Sequence, residues 1–115
     1  MKKVEAIIRK TKFDAVKEAL HQAGIDFFSY WDVRGQGTDY QSRVYRGVMY
    51  NTSIIERIKL SFVVRDKLLE QTINAIMESA WTGEVGDGKI FVSNIEESYR
   101  IRTKQSGDIT LYNEE

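Results

Sequence analysis

The chain has 115 residues, with 17 lysines and arginines, 17 aspartates and glutamates, and one histidine, His21. It contains no cysteine, which excludes disulfides and thiolate chemistry, and one histidine cannot build a histidine metal cluster. The balanced charge gives no electrostatic reason to expect nucleic acid or an anionic membrane as a partner. No apolar stretch approaches the roughly 20 residues of a membrane span, and the N-terminal apolar run is too short for a signal peptide. We therefore expect one cytoplasmic domain, residues 1–115, small enough to benefit from oligomerisation.

The first segments of the chain carry clear periodic patterns. Residues 2–9 alternate between apolar and polar side chains, which predicts a strand with one core face. Apolar residues at helical spacing over 12–23 predict a helix. Thr11 and Asp14 resemble a capping box at its start, and Gly24 stands where the helix should end.

The middle of the chain combines two strand patterns with a long irregular segment. Residues 26–34 are rich in aromatic side chains and predict a second strand. Residues 36–54 show no clean period, and so long a loop in so small a domain is more often functional or mobile than idle. Residues 57–64 alternate again and predict a third strand. Asp66 then suits the cap of a second helix.

The last strands complete a recognisable order. Residues 89–93 predict a fourth strand and 98–102 a short fifth one. The resulting βαββαβ order indicates an α+β, ferredoxin-like fold whose helices cover only one face of the sheet. Because Ile7 and Val63 place apolar groups on the opposite face, a homotrimer that buries this face would explain both the pattern and the small size.

A glycine-punctuated turn over 82–89 is the first candidate for binding chemistry. Gly83, Gly86 and Gly88 permit positive φ and close approach of the backbone to a ligand. Consecutive backbone N–H groups in such a turn form an anion-binding nest, and Lys89 adds a positive charge. A plain hairpin turn is an equally good interpretation of the spacing alone.

Two arginines near the C-terminus are the second candidate. A period of two places Arg100 and Arg102 on one face of the predicted fifth strand. Two adjacent guanidinium groups repel each other unless an anion lies between them, and phosphate suits their geometry. The alternative is a solvated strand face on which these arginines pair with Glu96 or Glu97.

The irregular segment has the composition of a docking surface. Tyr40, Tyr45 and Tyr50 lie near Arg43 and Arg46, and exposed aromatic residues beside arginines are typical of interface hot spots. The alternative is a loop whose tyrosines pack back onto the body of the domain.

Catalysis finds little support in the sequence. The carboxylate pairs Asp14–Glu18 and Glu96–Glu97 are not placed in any pocket by the pattern, and no base partners a nucleophile. The alternative from the class of enzymes is a slow ATPase that acts at the candidate phosphate site formed by the glycine turn and the two arginines. RNA-binding domains of similar topology carry an aromatic motif on their strands, and this chain lacks that motif. We therefore expect a protein that is not an enzyme and does not bind nucleic acid.

Four stretches resemble the PII signal-transduction proteins, the nitrogen regulatory protein P-II family. They are VEAIIRKTKFDAVKEALHQAGI near the N-terminus, VYRGVMY in the irregular segment, TGEVGDGKIFV in the glycine turn and YRIRT near the C-terminus. The usual family form has lysine-proline where Arg9 and Lys10 stand. The resemblance covers the chain to about residue 103 and implies a T-loop at about 36–54, a B-loop at 82–89 and a C-terminal segment at 98–115.

The resemblance implies that ATP and ADP compete for three clefts between the subunits of a homotrimer. In the family the B-loop, its lysine and the two C-terminal arginines hold phosphates, while backbone groups of three strands face the adenine. Carried over residue by residue, the implied nucleotide-binding set is Ile7, Ser29, Gly35, Gly37, Val63, Thr82, Gly86, Asp87, Gly88, Lys89, Arg100 and Arg102.

The chain departs from the family pattern at the 2-oxoglutarate site. The place of a family glutamine that helps hold Mg²⁺ falls near Thr38 or Asp39, and Asp39 offers a hard oxygen ligand for that ion. Arg57 stands where a family lysine pairs with the 2-oxoglutarate carboxylate, and Glu84 replaces a common lysine. The alternative reading is a diverged PII-like nucleotide sensor that does not respond to 2-oxoglutarate and regulates a different process.

The resemblance also implies binding partners. Arg46 matches a T-loop arginine that enters an ammonium-channel pore, so an ammonium transporter is the expected partner, with other enzymes or regulators of nitrogen metabolism as further ones. Contact with a membrane is expected only through that transporter. Tyr50 matches a tyrosine that some members have nucleotidylated.

Overall fold

The computed structural model describes residues 1–36, 43–45, 48–50 and 54–112, with 43–45 and 48–50 described by their backbone alone. Within these ranges the chain forms strands β1 (Lys2–Ile8), β2 (Ser29–Gln36), β3 (Arg43–Tyr45), β4 (Val48–Tyr50), β5 (Ile54–Val64) and β6 (Lys89–Asn94), and helices α1 (Phe13–Gln22) and α2 (Leu69–Ala80). Short 3-10 turns precede both helices. No helix in the described part of the chain is long and apolar enough to cross a membrane.

The main sheet is antiparallel and has four strands in the order β2-β5-β1-β6. The central strand β1 pairs with β5 on one side and with β6 on the other, so that Val4 lies opposite both Phe62 and Val92. This arrangement, with α1 after the first strand and α2 after the third long one, confirms the predicted ferredoxin-like fold. The short strands β3 and β4, which lie between β2 and β5 in the sequence, pair with each other in a separate two-stranded sheet.

The core lies between one face of the sheet and the two helices. Alternate residues of β1 and β5 point into it, as the sequence pattern predicted, and each fully buried aliphatic side chain contributes about 1.5–3 kcal/mol of transfer free energy. The buried apolar residues are Val4, Ala6, Ile8, Val16, Leu20, Ile25, Leu60, Phe62, Val64, Ile76 and Ala80. Thr72 is buried among them because its hydroxyl donates to the carbonyl of Leu68 at 2.7 Å.

The other face of the sheet has no helix packed on it. Trp31 is 43% exposed there and Phe91 53%, and the Lys59 ammonium lies 5.5 Å from the centre of the Trp31 ring. Glu5 accepts ion pairs from Lys3 at 2.9 Å and from Lys59 at 3.4 Å. This face leaves large apolar side chains exposed in the single chain, and the homotrimer stays a prediction.

Gly24 ends the first helix as predicted. Its φ of +85° lies in the left-handed region, and its N–H donates to the carbonyl of His21 at 3.0 Å. The N–H of Ile25 donates to the carbonyl of Leu20 at 2.8 Å. The two bonds form a Schellman motif, which satisfies the last carbonyls of the helix.

The predicted helix starts were wrong. The cap of α1 is Lys12, whose side chain makes no capping hydrogen bond, because a 3-10 turn at Lys10–Lys12 occupies the place of the expected capping box. Asp66 lies inside the second 3-10 turn and does not cap α2. Its carboxylate instead accepts a bond of 2.8 Å from the Met1 ammonium group.

The predicted fifth strand at 98–102 was also wrong. The segment makes a single bridge, between Tyr99 and Ser106, and residues 101–103 form a turn. The N–H of Arg100 donates to the carbonyl of Gln105 at 2.9 Å, so the chain pairs with itself rather than with an edge of the sheet. Two strands also differ in extent, since β2 begins at Ser29 and β5 at Ile54.

Candidate functional site

The B-loop is organised around one carboxylate. The N–H groups of Thr82 and Gly83 donate to Oδ2 of Asp87 at 2.8 and 2.9 Å, and the Thr82 hydroxyl donates to Oδ1. The hydroxyl and N–H of Thr82, the N–H of Gly83 and the guanidinium of Arg9 hold the pKa of Asp87 well below its usual range. Asp87 therefore closes the loop with both of its oxygens and keeps its charge.

The glycines of the B-loop adopt the positive φ values that the sequence predicted. Gly83, Gly86 and Gly88 have φ of +84°, +102° and +103°. A Cβ on Gly88 would lie 1.7 Å from the carbonyl oxygen of Ile7. The loop thus approaches β1 so closely that only glycine fits at position 88.

Arg9 and Arg57 hydrogen-bond to the tip of this loop. Arg9 follows β1 directly; its Nε donates to Oδ1 of Asp87 at 3.1 Å and its Nη2 to the carbonyl of Val85 at 3.0 Å. Arg57 on β5 donates through Nη2 to the carbonyl of Gly86 at 3.0 Å. Partial burial lowers the pKa of Arg57, the charge of Arg9 lowers it further, and Asp87 opposes both effects.

Sequence reasoning missed Arg9 as a residue of the site. The available signal was a basic residue where the family form also carries one, directly after the first strand. Arg57 was predicted for a 2-oxoglutarate carboxylate, and the structure places its guanidinium on the B-loop backbone.

One group of the predicted nucleotide-binding residues lies together at this end of the sheet. Ile7 pairs with Lys89 across β1 and β6, and Gly35 on β2 pairs with Ile55 on β5, two residues before Arg57. The residues brought together around the B-loop are Ile7, Thr82, Gly86, Asp87, Gly88 and Lys89. Gly35 lies further along the sheet, because its partner Ile55 is four positions from Lys59, the partner of Ile7.

A second group lies at the opposite end of the sheet. Ser29, Val63 and Arg100 line a groove of about 740 Å³, together with the C-terminal segment up to Tyr112. Val63 lies six positions after Arg57 on β5, which is about 20 Å at the usual rise of a strand. Ile7 pairs with Lys59, which lies two positions along β5 from Ser61, the partner of Ser29, and four positions from Val63. Ile7, Ser29 and Val63 were all expected to face the adenine.

Arg100 holds the C-terminal segment in place. Its Nη1 donates to Oε1 of Gln105 at 2.7 Å, and its Nη2 donates to the carbonyls of Ile109 at 2.8 Å and Tyr112 at 2.7 Å. Arg102 is exposed in the turn at 101–103. The turn replaces the strand that was expected to present both arginines side by side.

Several predicted positions lie outside the described residues. They are Gly37, Asp39 and Arg46, together with the side chain of Tyr50. Among the residues that the structure does describe, no cluster of three or more histidine, aspartate or glutamate side chains could hold a metal ion.

Comparison with known proteins agrees with the resemblance seen in the motifs. The family model for nitrogen regulatory protein P-II matches residues 1–105. The nitrogen regulatory protein P-II of Bradyrhizobium diazoefficiens is 46% identical over 108 residues, which cover 93% of this chain and 96% of the relative. The protein of the same name from Azospirillum brasilense is 44% identical over the same coverage, and that from Rhodobacter capsulatus is 45% identical over 94% of this chain and 97% of its own. The chain is thus a signalling protein rather than an enzyme, and it belongs to the nitrogen regulatory protein P-II family.

Proposed function

We propose that this protein is a nitrogen regulator in which ATP and ADP compete for clefts between the subunits of a homotrimer. Nucleotide occupancy sets the arrangement of the T-loop, residues 36–54, and the T-loop regulates partner proteins. An ammonium transporter is the first of these partners, and other enzymes or regulators of nitrogen metabolism are further ones. The protein acts in the cytoplasm and meets the membrane only through the transporter.

The division of the predicted site into two distant groups is the observation that carries this proposal. The tip of the B-loop, which Arg57 holds, and the Arg100 group at Val63 lie six positions apart on β5, which is about 20 Å. No single nucleotide phosphate chain contacts both groups within one subunit. In a head-to-tail ring, the B-loop of one subunit faces the Arg100 groove of the next.

The B-loop group has the chemistry for phosphate. Its glycines have the positive φ values that allow a loop to form an anion-binding nest, and Lys89 is an exposed cation at its end. The second group adds the guanidinium of Arg100, whose charge attracts phosphate and whose bonds to the C-terminal segment a phosphate must share. A polyphosphate between the two subunits therefore neutralises positive charge from both half-sites.

The same contacts connect the phosphate loop to the T-loop. Arg57 holds the Gly86 carbonyl and lies three residues after Ile54, where β5 begins. A nucleotide that moves the B-loop changes the contact made by Arg57 at the root of the T-loop. Such coupling requires only that the nucleotide bind two loop arrangements with different affinity.

Mixing two inactive variants tests the shared cleft. Lys89→Ala removes the B-loop cation, and Arg100→Ala with Arg102→Ala removes the opposing guanidinium groups. Each variant alone should lose ADP binding in calorimetry. When the two are unfolded together and refolded, random assortment in a heterologous ring restores about a quarter of the sites. No restored binding in the mixture, with mixed oligomers verified by mass spectrometry, would refute a cleft shared between subunits.

One observation favours a second version of this function, a sensor that does not respond to 2-oxoglutarate. Arg57 donates through Nη1 to the Glu56 carbonyl at 2.8 Å and through Nη2 to the Gly86 carbonyl at 3.0 Å. A 2-oxoglutarate carboxylate must compete with both bonds, and the Asp39 carboxylate opposes a second anion. Titration of ATP with Mg²⁺, with and without 2-oxoglutarate, decides between the two versions. A higher ATP affinity in the presence of 2-oxoglutarate supports Mg²⁺ and 2-oxoglutarate as co-ligands at Asp39 and Arg57.

A further inference from the structure

We propose that Arg9 is a positioning residue that holds the B-loop in the conformation that binds polyphosphate. The inference rests on the nucleotide site proposed above and adds a residue to it. Arg9 contacts the loop backbone and its central carboxylate, whereas the phosphate-binding role falls to the loop itself.

The geometry shows one planar side chain spanning two parts of the loop. Nε of Arg9 donates to the carboxylate of Asp87 at 3.1 Å, and Nη2 donates to the carbonyl of Val85 at 3.0 Å. The side chains of Arg9 and Asp87 are only 25% and 24% exposed. A guanidinium fork can satisfy both acceptors at once, whereas an ammonium group is a single point charge.

The other contacts of the loop show what Arg9 adds. Asp87 ties the base of the loop through the N–H groups of Thr82 and Gly83, and these bonds do not involve Arg9. Gly88 packs against β1 at the end of the loop. At the tip, Arg57 holds the Gly86 carbonyl and Arg9 adds a second restraint at Val85. Its removal should leave the fold and the loop base in place while the tip gains freedom.

Freedom at the tip matters because phosphate is recognised there by backbone N–H groups. A nest binds an anion well only when successive N–H groups already point to one side. If the loop must become ordered during binding, the conformational entropy that it loses weakens the affinity for the ligand. The penalty grows with the number of phosphates that the loop must contact, so ADP should lose more affinity than AMP.

The test compares ADP and AMP binding by calorimetry in four proteins: wild type, Arg9→Ala, Arg9→Lys and the charge control Lys17→Ala, which changes an exposed residue of α1. Amide hydrogen exchange of peptides covering 83–88 is measured in the same proteins without nucleotide. We expect Arg9→Ala to lose about tenfold or more in ADP affinity, as for a lost charge-assisted bond, with a smaller loss for AMP and faster exchange at the loop tip. Arg9→Lys should be intermediate, and Lys17→Ala should match wild type.

Each other outcome overturns a defined part of the reasoning. Wild-type ADP affinity in Arg9→Ala overturns the positioning role, and so does an Arg9→Lys variant that is indistinguishable from wild type, because charge alone would then suffice. If Arg9→Ala fails to fold, unchanged loop exchange in Arg9→Lys overturns the role. A wild-type protein that binds no ADP refutes the proposed nucleotide site itself, which is a separate result from a failed variant.

Discussion

The close contact between Gly88 and β1 gives the sharpest test of the B-loop geometry. In Gly88→Ala the new Cβ would lie 1.7 Å from the Ile7 carbonyl oxygen, whereas real Cβ contacts essentially never fall below 3.0 Å, so the loop must move by at least 1.3 Å. The φ of +103° adds about 1–2 kcal/mol for any residue with a Cβ. Displacing the loop also loses one or two ladder hydrogen bonds next to the Ile7–Lys89 pair, at about 1 kcal/mol each. We expect the free energy of unfolding to fall by about 3 kcal/mol.

Gly24→Ala is the matched control for this change. Gly24 has a φ of +85° and no atom within 4 Å of its would-be Cβ, so it carries the conformational cost without the clash. We expect about 1–2 kcal/mol for Gly24→Ala, with unchanged ADP affinity, against lost ADP binding in Gly88→Ala. Urea unfolding at one fixed protein concentration measures the first quantity and calorimetry the second. Equal destabilisation in both variants, or full ADP binding in Gly88→Ala, would refute the close approach of the loop to β1.

Three further outcomes follow from the described contacts and the proposed roles. Arg100→Ala with Arg102→Ala should abolish ATP and ADP binding without changing the oligomer mass, measured by calorimetry and light scattering; Arg100→Ala alone should also speed amide exchange of the C-terminal segment. Deletion of 38–52 should keep ADP affinity and lose the transporter in a pull-down, and a deleted protein that still binds it would contradict the docking role. The bond to Asp26 raises the pKa of His21, so the pair stabilises the fold below the unfolded histidine pKa of about 6.5, and this stabilisation disappears as pH rises through the folded pKa. Asp26→Asn should remove that pH dependence of the urea midpoint.

The fold was predictable because its signals are local and repeated. Alternation over β1 and β5 depends on one period, and the buried residues of both strands confirm it. The errors arose where a short-range signal met a competing partner. Asp66 had the right chemistry for a helix cap, but the Met1 ammonium lies 2.8 Å from its carboxylate. The YRIR stretch alternates like a strand, yet it pairs with Ser106 within its own turn.

The site was predictable where backbone geometry dictates residue type. The positive φ values at Gly86 and Gly88 favour glycine, so the spacing of the glycines in the sequence predicts the loop. Arg9 carries no such mark, because its partners are a carbonyl and a carboxylate more than seventy positions away along the chain. Every residue type has a backbone carbonyl. A side chain that donates to a distant carbonyl therefore cannot be recognised from the residue type of its partner.

The sequence does not show that the predicted site is divided between two ends of the sheet. Motif matching assigns residues to a ligand but does not record which of them share one end of a sheet. Antiparallel pairing fixes that question: Ile7 lies opposite Lys89 and Lys59, whereas Val63 lies opposite Lys3 near the start of β1. A strand separates residues by about 3.3 Å per position, which exceeds the reach of one phosphate chain within a few positions. The register of β1 and β5 therefore keeps the B-loop and Val63 apart within one subunit. The experiment with mixed variants distinguishes a nucleotide bound by one subunit from a nucleotide shared by two.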